Sequence, residues 1–231
     1  MFIEEAIKDK VTYANLIEML KPNCEIIINN SNGFIIYHSS PDMNVLVCDC
    51  KDGFEEKFLE EILKLKKPLL QILNNKLVEM VVKNKYQIEG DPSLQAVYRG
   101  ERIDSSGLIS LRKEDLEFVK NTYIDGTLKE YVQHIFDENY LCGYYENNEL
   151  IGYVGKHSKN NIGLLYVKPE YRRNGYGSKI LRMAFSKCED FGNPYPYTHI
   201  YETNEPSLKL HKKIGCEFGK KTITWIRRTE K

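Results

Sequence analysis

The sequence predicts an α/β protein organised around a mixed sheet. Short apolar strand-like runs come in groups, helical stripes separate them, and one of the strand-to-helix joins, "VKPEYRRNGYGSK" at residues 167–179, is loaded with glycine and arginine. The chain has 231 residues, enough for one large domain or two small ones and for a substantial core.

The elements follow in order. Tyr13, Leu16, Ile17 and Leu20 share one helical face, and Pro22 closes that helix. Three strand runs come next, "CEIIIN", "GFIIYHS" and "MNVLVCD", separated by the turn-forming "NSN" and "SPD". "GFEEKFLEEILKL" places apolar residues at 54, 58, 59, 62 and 63, a helical stripe. "PLLQIL", a short helix near 74–83 and "LQAVYRG" complete the first half. The polar "GERIDSSG" at 100–107 marks a boundary, so 1–104 is an N-terminal α/β half and 105–231 a second domain. "LRKEDLEFVKNTY" and "LKEYVQHIFDEN" predict two helices, and "YLCGYYE", "LIGYVGKHS" and "IGLLYV" an antiparallel meander turned at "NNE" and "KNN". A helix at 177–190 buries Ile180, Leu181, Ala184, Phe185 and Cys188, and "YPYTHIYE", "PSLKLHKKI" and "TITWIRR" give strand, helix and strand. Both halves run helix, three strands, helix, strand, helix, strands, which suggests two copies of one fold. Two unrelated α/β halves is the alternative.

Composition limits the function. Charged residues are 29% and hydrophobic ones 42%, as in a globular protein. The 33 basic and 33 acidic residues cancel, which argues against a general nucleic-acid or anionic-membrane partner. The cancellation is uneven: Asn161–Lys231 carries 14 Lys or Arg against 7 Asp or Glu, and the rest 19 against 26. A basic C-terminal third suits a polyanionic ligand or a set of solvated basic faces. Of six cysteines only Cys48 and Cys50 are close, a poor zinc signal, so no metal site and free thiols in a reducing cytoplasm are expected. No signal-peptide stretch and no apolar run of about 20 residues is present.

At the glycine-rich join, glycine admits positive φ and close approach of backbone to a ligand. The helix that begins there presents unpaired amides and a positive dipole end, an anion site most natural for phosphate. Two common phosphate loops are excluded. A P-loop needs Gly-Lys-Ser/Thr at the position of Ile180, and the dinucleotide fingerprint needs a third glycine at that same Ile180. A tight turn with solvated arginines is the plain structural alternative.

What remains is V-x-P-x-x-R-x-x-G-x-G followed by a helix, carried by Val167, Pro169, Arg172, Gly175 and Gly177. Here the chain resembles the GNAT superfamily, which transfers acyl groups from acyl-CoA to amines. A second element, "NEPSLKLHKKIGCEF", is similar to the family's N-x-x-[SA]-x-x-L-Y-x-K-x-G-F at Asn204, Ser207, Leu210, Lys213 and Gly215. The stretch "GNPYPYTHIYETNEPSL" with "TITW" further resembles the glycine N-acyltransferase branch. The resemblance spans about 105–228 and implies a GNAT-type fold there, preceded by a degenerate GNAT-like half without a CoA loop. It implies that the amides of Arg173, Asn174, Gly175, Tyr176, Gly177 and Ser178, with Arg172 beside them, hold the CoA diphosphate. Leu165, Tyr166 and Val167 would offer backbone to pantetheine like an added strand. Asn204, with Ser207 following in the motif, would hold the pantetheine arm, although Asn204 is equally a helix N-cap.

The chemistry sets requirements. A primary amine of pKa about 10.4 is mostly protonated at pH 7, and reaching the free amine costs about 4–5 kcal/mol. A base or a desolvated amine pocket is therefore the larger need. The thiolate, at about 8.5 by analogy with cysteine, needs less help, and the thioester oxygen needs an N–H such as that of Val167. The sequence departs from the family twice. His211 stands where the family usually places the tyrosine that protonates the thiolate, and Asn160 and Asn161 stand where many relatives have a glutamate base. His211 as acid and Glu202 as replacement base are the catalytic candidates, weighed against a surface helical histidine and a solvated strand-end carboxylate. Tyr144, Tyr145, Tyr153, Tyr166 and Tyr201 either line an acceptor pocket or pack the strand faces.

The reading is an N-acetyltransferase, or acyltransferase, moving an acetyl or short acyl group from acetyl-CoA or another acyl-CoA to a primary amine of a small molecule or amino acid. Attack is direct, in a ternary complex, and no metal takes part. A cytoplasmic monomer or homodimer acting on a small-molecule amine, with no nucleic-acid or membrane partner, is expected. A non-catalytic CoA-binding regulatory module is the alternative, and a protein binding another nucleotide a more distant one.

Overall fold

In a computed structural model of the chain, residues 1–21, 24–39, 44–67, 69–126, 128–188 and 195–229 are described. The helices are α1 (Phe2–Ala6), α2 (Ala14–Met19), α3 (Glu55–Leu65), α4 (Asn75–Val82), α5 (Leu116–Thr122), α6 (Lys129–Asp137), α7 (Tyr176–Ser186) and α8 (Glu205–Lys213). The strands are β1 (Cys24–Asn29), β2 (Gly33–Ser39), β3 (Asn44–Cys50), β4 (Leu69–Ile72), β5 (Tyr86–Ile88), β6 (Ser93–Tyr98), β7 (Leu108–Ser110), β8 (Leu141–Glu146), β9 (Glu149–Lys156), β10 (Ile162–Val167), β11 (Tyr197–Tyr201) and β12 (Cys216–Arg228). The α/β fold with a mixed sheet is thus as the sequence predicts. Three short elements, α1, β5 and β7, carry too few residues to display a period. Parts of the expected elements at Pro22, the "SPD" turn, Met43, Pro68 and residues 189–194 lie outside the described residues.

The chain forms two compact units. The first comprises Met1–Ala96, Ile200–Glu205 and Phe218–Lys231, the second Val97–His199 and Pro206–Glu217. Each is assembled from separate stretches, so spatial compactness and sequence order divide the protein differently.

In the first unit β1, β2 and β3 form an antiparallel meander. Helix α3 then returns the chain so that β4 lies parallel to β3, with Leu46, Val47 and Cys48 opposite Leu70, Gln71 and Ile72. Strand β12 continues the sheet antiparallel to β4 and also pairs β5. One face is packed by Phe58, Ile62, Leu77 and Val81 of α3 and α4, the other by Ile3, Ala6, Leu16 and Met19 of α1 and α2. Asp49 is fully buried in this unit, held by Tyr13 Oη and Lys221 Nζ, each at 2.6 Å.

In the second unit β7, β8, β9 and β10 form an antiparallel sheet in spatial order β10-β9-β8-β7. Val119, Val132 and Ile135 of α5 and α6 pack its one face around Tyr153 and Leu164. Helix α7 buries Ile180, Leu181, Ala184 and Phe185, the stripe expected from its periodicity, and Ile180 lies against Gly152 of β9. The first unit's order of two helices, three antiparallel strands, helix and strand recurs here, with an added edge strand, β7, and a difference at the parallel pair. Strand β11 meets β10 only through a bridge between Asn161 and Tyr197, reinforced by Tyr197 N–H donating to Asn160 O at 2.9 Å. Beyond that bridge β11 pairs β6, and among the described residues β10 pairs only β9. The edge of β10 from Ile162 to Val167 is therefore open, where the equivalent edge of β3 is closed by β4.

Candidate acyl-CoA site

The open edge is shaped by a bulge. The register between β10 and β9 shifts between Gly163 and Tyr166, and Leu164 sits at φ 55°. A bulge bends its strand and re-aims the following residues. Leu165, Tyr166 and Val167 follow it on the strand left without a second partner. Arg172 Nε donates to Val167 O at 2.9 Å, and the guanidinium lies 5.3 Å from the Tyr166 ring centre. Arg172 thus braces the strand end, an office its place in a charged loop does not announce.

The chain then enters α7 through two left-handed residues, Arg173 at φ 66° and Gly175 at φ 85°. Gly175 is the N-cap, and a Cβ built there would meet nothing within 4 Å. The first backbone bond closing onto the helix start is Lys179 N–H to Gly175 O at 3.1 Å. Among the described residues the amides of Arg173 to Ser178 find no backbone acceptor. Alternating left- and right-handed residues ahead of a helix make an anion-binding concavity. Gly177 is the second residue of α7, with ordinary contacts of 3.6 Å to Leu210 and 3.9 Å to Val167 available to an added methyl. Tyr176 offers only its amide to this concavity, because its Oη donates to Glu146 Oε2 at 2.7 Å. Tyr144 Oη donates to the same carboxylate at 2.8 Å, and Lys179 is tied to Tyr144. These bonds hold the Glu146 carboxyl below its ordinary value.

The remaining candidates fall in two places. Ser207 and His211 belong to α8 in the second unit. Glu202 and Asn204 belong to the Ile200–Glu205 segment of the first unit, both exposed. Glu202 N–H donates to Pro92 O at 3.0 Å and Asn204 N–H to Tyr201 O at 2.9 Å. His211 is not the surface histidine its helix suggests: it is only 4% exposed and packs edge-on against Phe185. Its Nδ1 lies 2.8 Å from Ser207 O. A carbonyl only accepts, so Nδ1 carries the proton and Nε2, buried and without a partner among the described residues, carries the lone pair. Burial lowers the imidazole from its ordinary value. In this arrangement the ring accepts rather than donates at Nε2, which weighs against the acid role assigned to the tyrosine it replaces.

The aromatic candidates are mostly packing. Tyr153 is buried and stacks on Tyr166 at 5.2 Å, and Tyr144 is buried. Tyr145 donates to Asp115 at 2.7 Å. Tyr201 is exposed, its hydroxyl crowding Gly90 within the first unit. Asn160 is fully buried at the bridge where β10 and β11 part.

The sequence signal missed one group of residues. His157, in the β9–β10 turn, places Nδ1 2.5 Å from Tyr131 Oη of α6, and the rings stack with centres 5.9 Å apart. His199 lies on β11 two residues beyond the bridge, and the charge of His157 bears on it. The three residues are far apart in sequence, and no spacing rule joins them.

All six cysteines are free, and among the described residues no helix is long and apolar enough to cross a membrane. No curated protein sequence matches the chain. Residues 107–216 match the model of the Acetyltransferase (GNAT) family. Solved structures resemble the whole chain in fold. A Drosophila protein is 18% identical over 99% of this chain and 90% of its own, with a TM-score of 0.63. A GCN5-related N-acetyltransferase from Kribbella flavida is 12% identical over 96% of each chain, at 0.53. A GNAT-family acetyltransferase from Colwellia psychrerythraea is 14% identical over 86% of this chain and 82% of its own, at 0.52. With its splayed strands, bulged edge and unpaired helix start, the stretch from 107 to 216 is similar to the Acetyltransferase (GNAT) family, whose fold the solved structures share.

Proposed function

We propose that the second unit transfers an acetyl or short acyl group from acyl-CoA to a primary amine of a small molecule or amino acid, by direct attack in a ternary complex. The observation that carries this reading is the run of six unpaired amides from Arg173 to Ser178 beside the open edge of β10. A diphosphate accepts those amides, and the α7 dipole and Arg173 add attraction. Pantetheine amides pair with the Leu165–Val167 edge in the manner of an added strand. This brings the thioester toward the gap between β10 and β11, where an edge N–H such as that of Val167 supports the developing oxyanion.

The amine lone pair forms the C–N bond, the carbonyl electrons move to oxygen, and collapse breaks C–S with the pair leaving on sulfur. The likeness of the 192–208 stretch to glycine N-acyltransferases favours an amino-acid-sized acceptor. Residues 1–104 are taken as the degenerate copy. At its corresponding turn Gly53 N–H is already occupied by Glu55 Oε2 at 2.7 Å, and Asp52 adds negative charge, so an anion is repelled there.

The test is release of free CoA, followed with a thiol reagent, from acetyl-CoA and a panel of amines and amino acids. Release with at least one amine is expected. Tight CoA binding with no release from any amine would favour the non-catalytic module. Asn204→Ala, Ser207→Ala, Glu202→Gln and His211→Phe test the roles that family resemblance implies for those residues.

A further inference from the structure

Two strands that part leave a crotch, and what lines it decides what chemistry occurs there. Two residues past the Asn161–Tyr197 bridge stand Gly163 on β10 and His199 on β11. Gly163 is open for a reason: a Cβ there would lie 2.1 Å from His157 Nε2 and 2.6 Å from its Cδ2. The imidazole of His157 thus rests where any larger residue at 163 would put its side chain. Tyr131 of α6 holds the ring by the bond to Nδ1 and by stacking. This is the face covered by α5 and α6, whereas α7, with its anion-binding start, packs through Ile180. His157 is exposed to solvent. Its Nε2 makes no hydrogen bond with any described residue.

We propose that His157 is the catalytic base of the acyl transfer, its Nε2 taking the proton from the acceptor amine at the mouth of the β10–β11 gap, with Tyr131 as the residue that positions the ring. This rests on the acyltransferase reading above. In the tautomer with Nδ1–H donating to Tyr131 Oη, the lone pair lies on Nε2, the ring nitrogen that rests beside Gly163. The amine enters neutral and its lone pair forms the C–N bond, which leaves the nitrogen positively charged and its N–H acidic. That proton moves to Nε2, the C–S bond breaks with its electrons on sulfur, and the imidazolium returns the proton to the departing thiolate or to water. The products are an amide and a thiol.

Tyr131 on α6 contacts His157, and His199 on β11 feels its charge. Desolvation lowers His157 from the ordinary histidine value, and burial together with the charge of His157 lowers His199, so both enter the reaction with lone pairs rather than protons.

The experiment compares wild type with His157→Gln, Tyr131→Phe and Gly163→Ala, reading acetyl-CoA affinity by calorimetry and CoA release against pH. General-base removal typically costs about 10²–10⁴-fold. His157→Gln is expected to lower kcat at least about 100-fold at pH 7 with acetyl-CoA affinity within threefold, and to recover partly at pH 9 or with added imidazole. Tyr131→Phe is expected to lose less. Gly163→Ala, whose methyl displaces the ring, is expected to copy His157→Gln, and the Gln variant's thermal midpoint shows that it is folded. A His157→Gln enzyme within threefold of wild type at every pH would overturn the assignment, the more so if Glu202→Gln lost the rate instead. A wild type that binds acetyl-CoA and releases thiol with no amine would overturn the acyltransferase reading, and this assignment with it.

Discussion

Gly177→Ala separates a glycine kept for folding from one kept for a ligand. Gly177 stands in the first turn of α7, and an added methyl would meet only Leu210 at 3.6 Å and Val167 at 3.9 Å, both ordinary contacts. Alanine is the better helix former by about 1 kcal/mol in a helix interior, and about half of that is expected in the first turn. For a protein of this size 1 kcal/mol moves the midpoint by about 2–4 °C, so the free variant should melt about 1–2 °C higher than wild type. The same methyl projects beside amides that have no protein acceptor, so CoA should bind at least about tenfold more weakly, a loss of about 1.4 kcal/mol. Gly175→Ala provides the contrast. Its neighbourhood is empty but its φ is 85°, which costs an alanine about 1–2 kcal/mol, so this variant should lose both stability and affinity. Thermal denaturation with and without CoA, together with calorimetric titration, reads both effects. A Gly177→Ala protein that is stabilised and binds CoA as wild type does would refute the argument that this backbone approaches the diphosphate.

Three further outcomes are expected. His199 is held down to about 3 by burial and by His157, and His211 is lowered by burial, while both titrate near about 6.5 when unfolded. Below that pH the unfolded chain binds protons that the folded chain refuses, so stability falls as pH drops, by up to about 1.4 kcal/mol per pH unit for each histidine. Urea denaturation from pH 7.5 to 5.5 checks this, and His211→Gln should show a shallower fall. Lys221→Met leaves the buried Asp49 carboxylate without its cation, with bonds from Tyr13 and the Cys50 backbone, and should cost about 1–3 kcal/mol at pH 8, discounted because Lys221 is 37% exposed. Burial already raises the Asp49 carboxyl and loss of Lys221 raises it further, so the variant's deficit should shrink as pH falls and that group protonates; a deficit constant with pH would contradict this. Arg172→Ala removes an exposed bond to Val167 O, so stability should change by under about 1 kcal/mol while CoA affinity falls several-fold and becomes less salt-dependent, read by titration at two salt concentrations.

Much of this protein was legible in its residues because the relevant physics is local. Apolar period marks α3, α7 and the β8–β10 meander, and a glycine before a helix announces positive φ and free amides at Gly175. What resisted reading depends on residues distant in the chain. Nothing in "IGLLYV" says that β10 will lose β11 after one bridge, whereas the similar β3 keeps β4 over three pairs. Nothing in "LKLHKK" says that His211 turns inward onto Phe185, nor does the Arg172 charge say that it will brace Val167. His157, Tyr131, Gly163 and His199 come from a turn, a helix and two strands. Sequence alone determined that a helix start able to bind an anion follows a strand, since dihedral preference and unpaired amides belong to a few consecutive residues. Only the tertiary structure decided that the neighbouring strands part and that His157 rests on Gly163 beneath Tyr131 where they do, since strand pairing and burial are settled by what the rest of the chain packs against them.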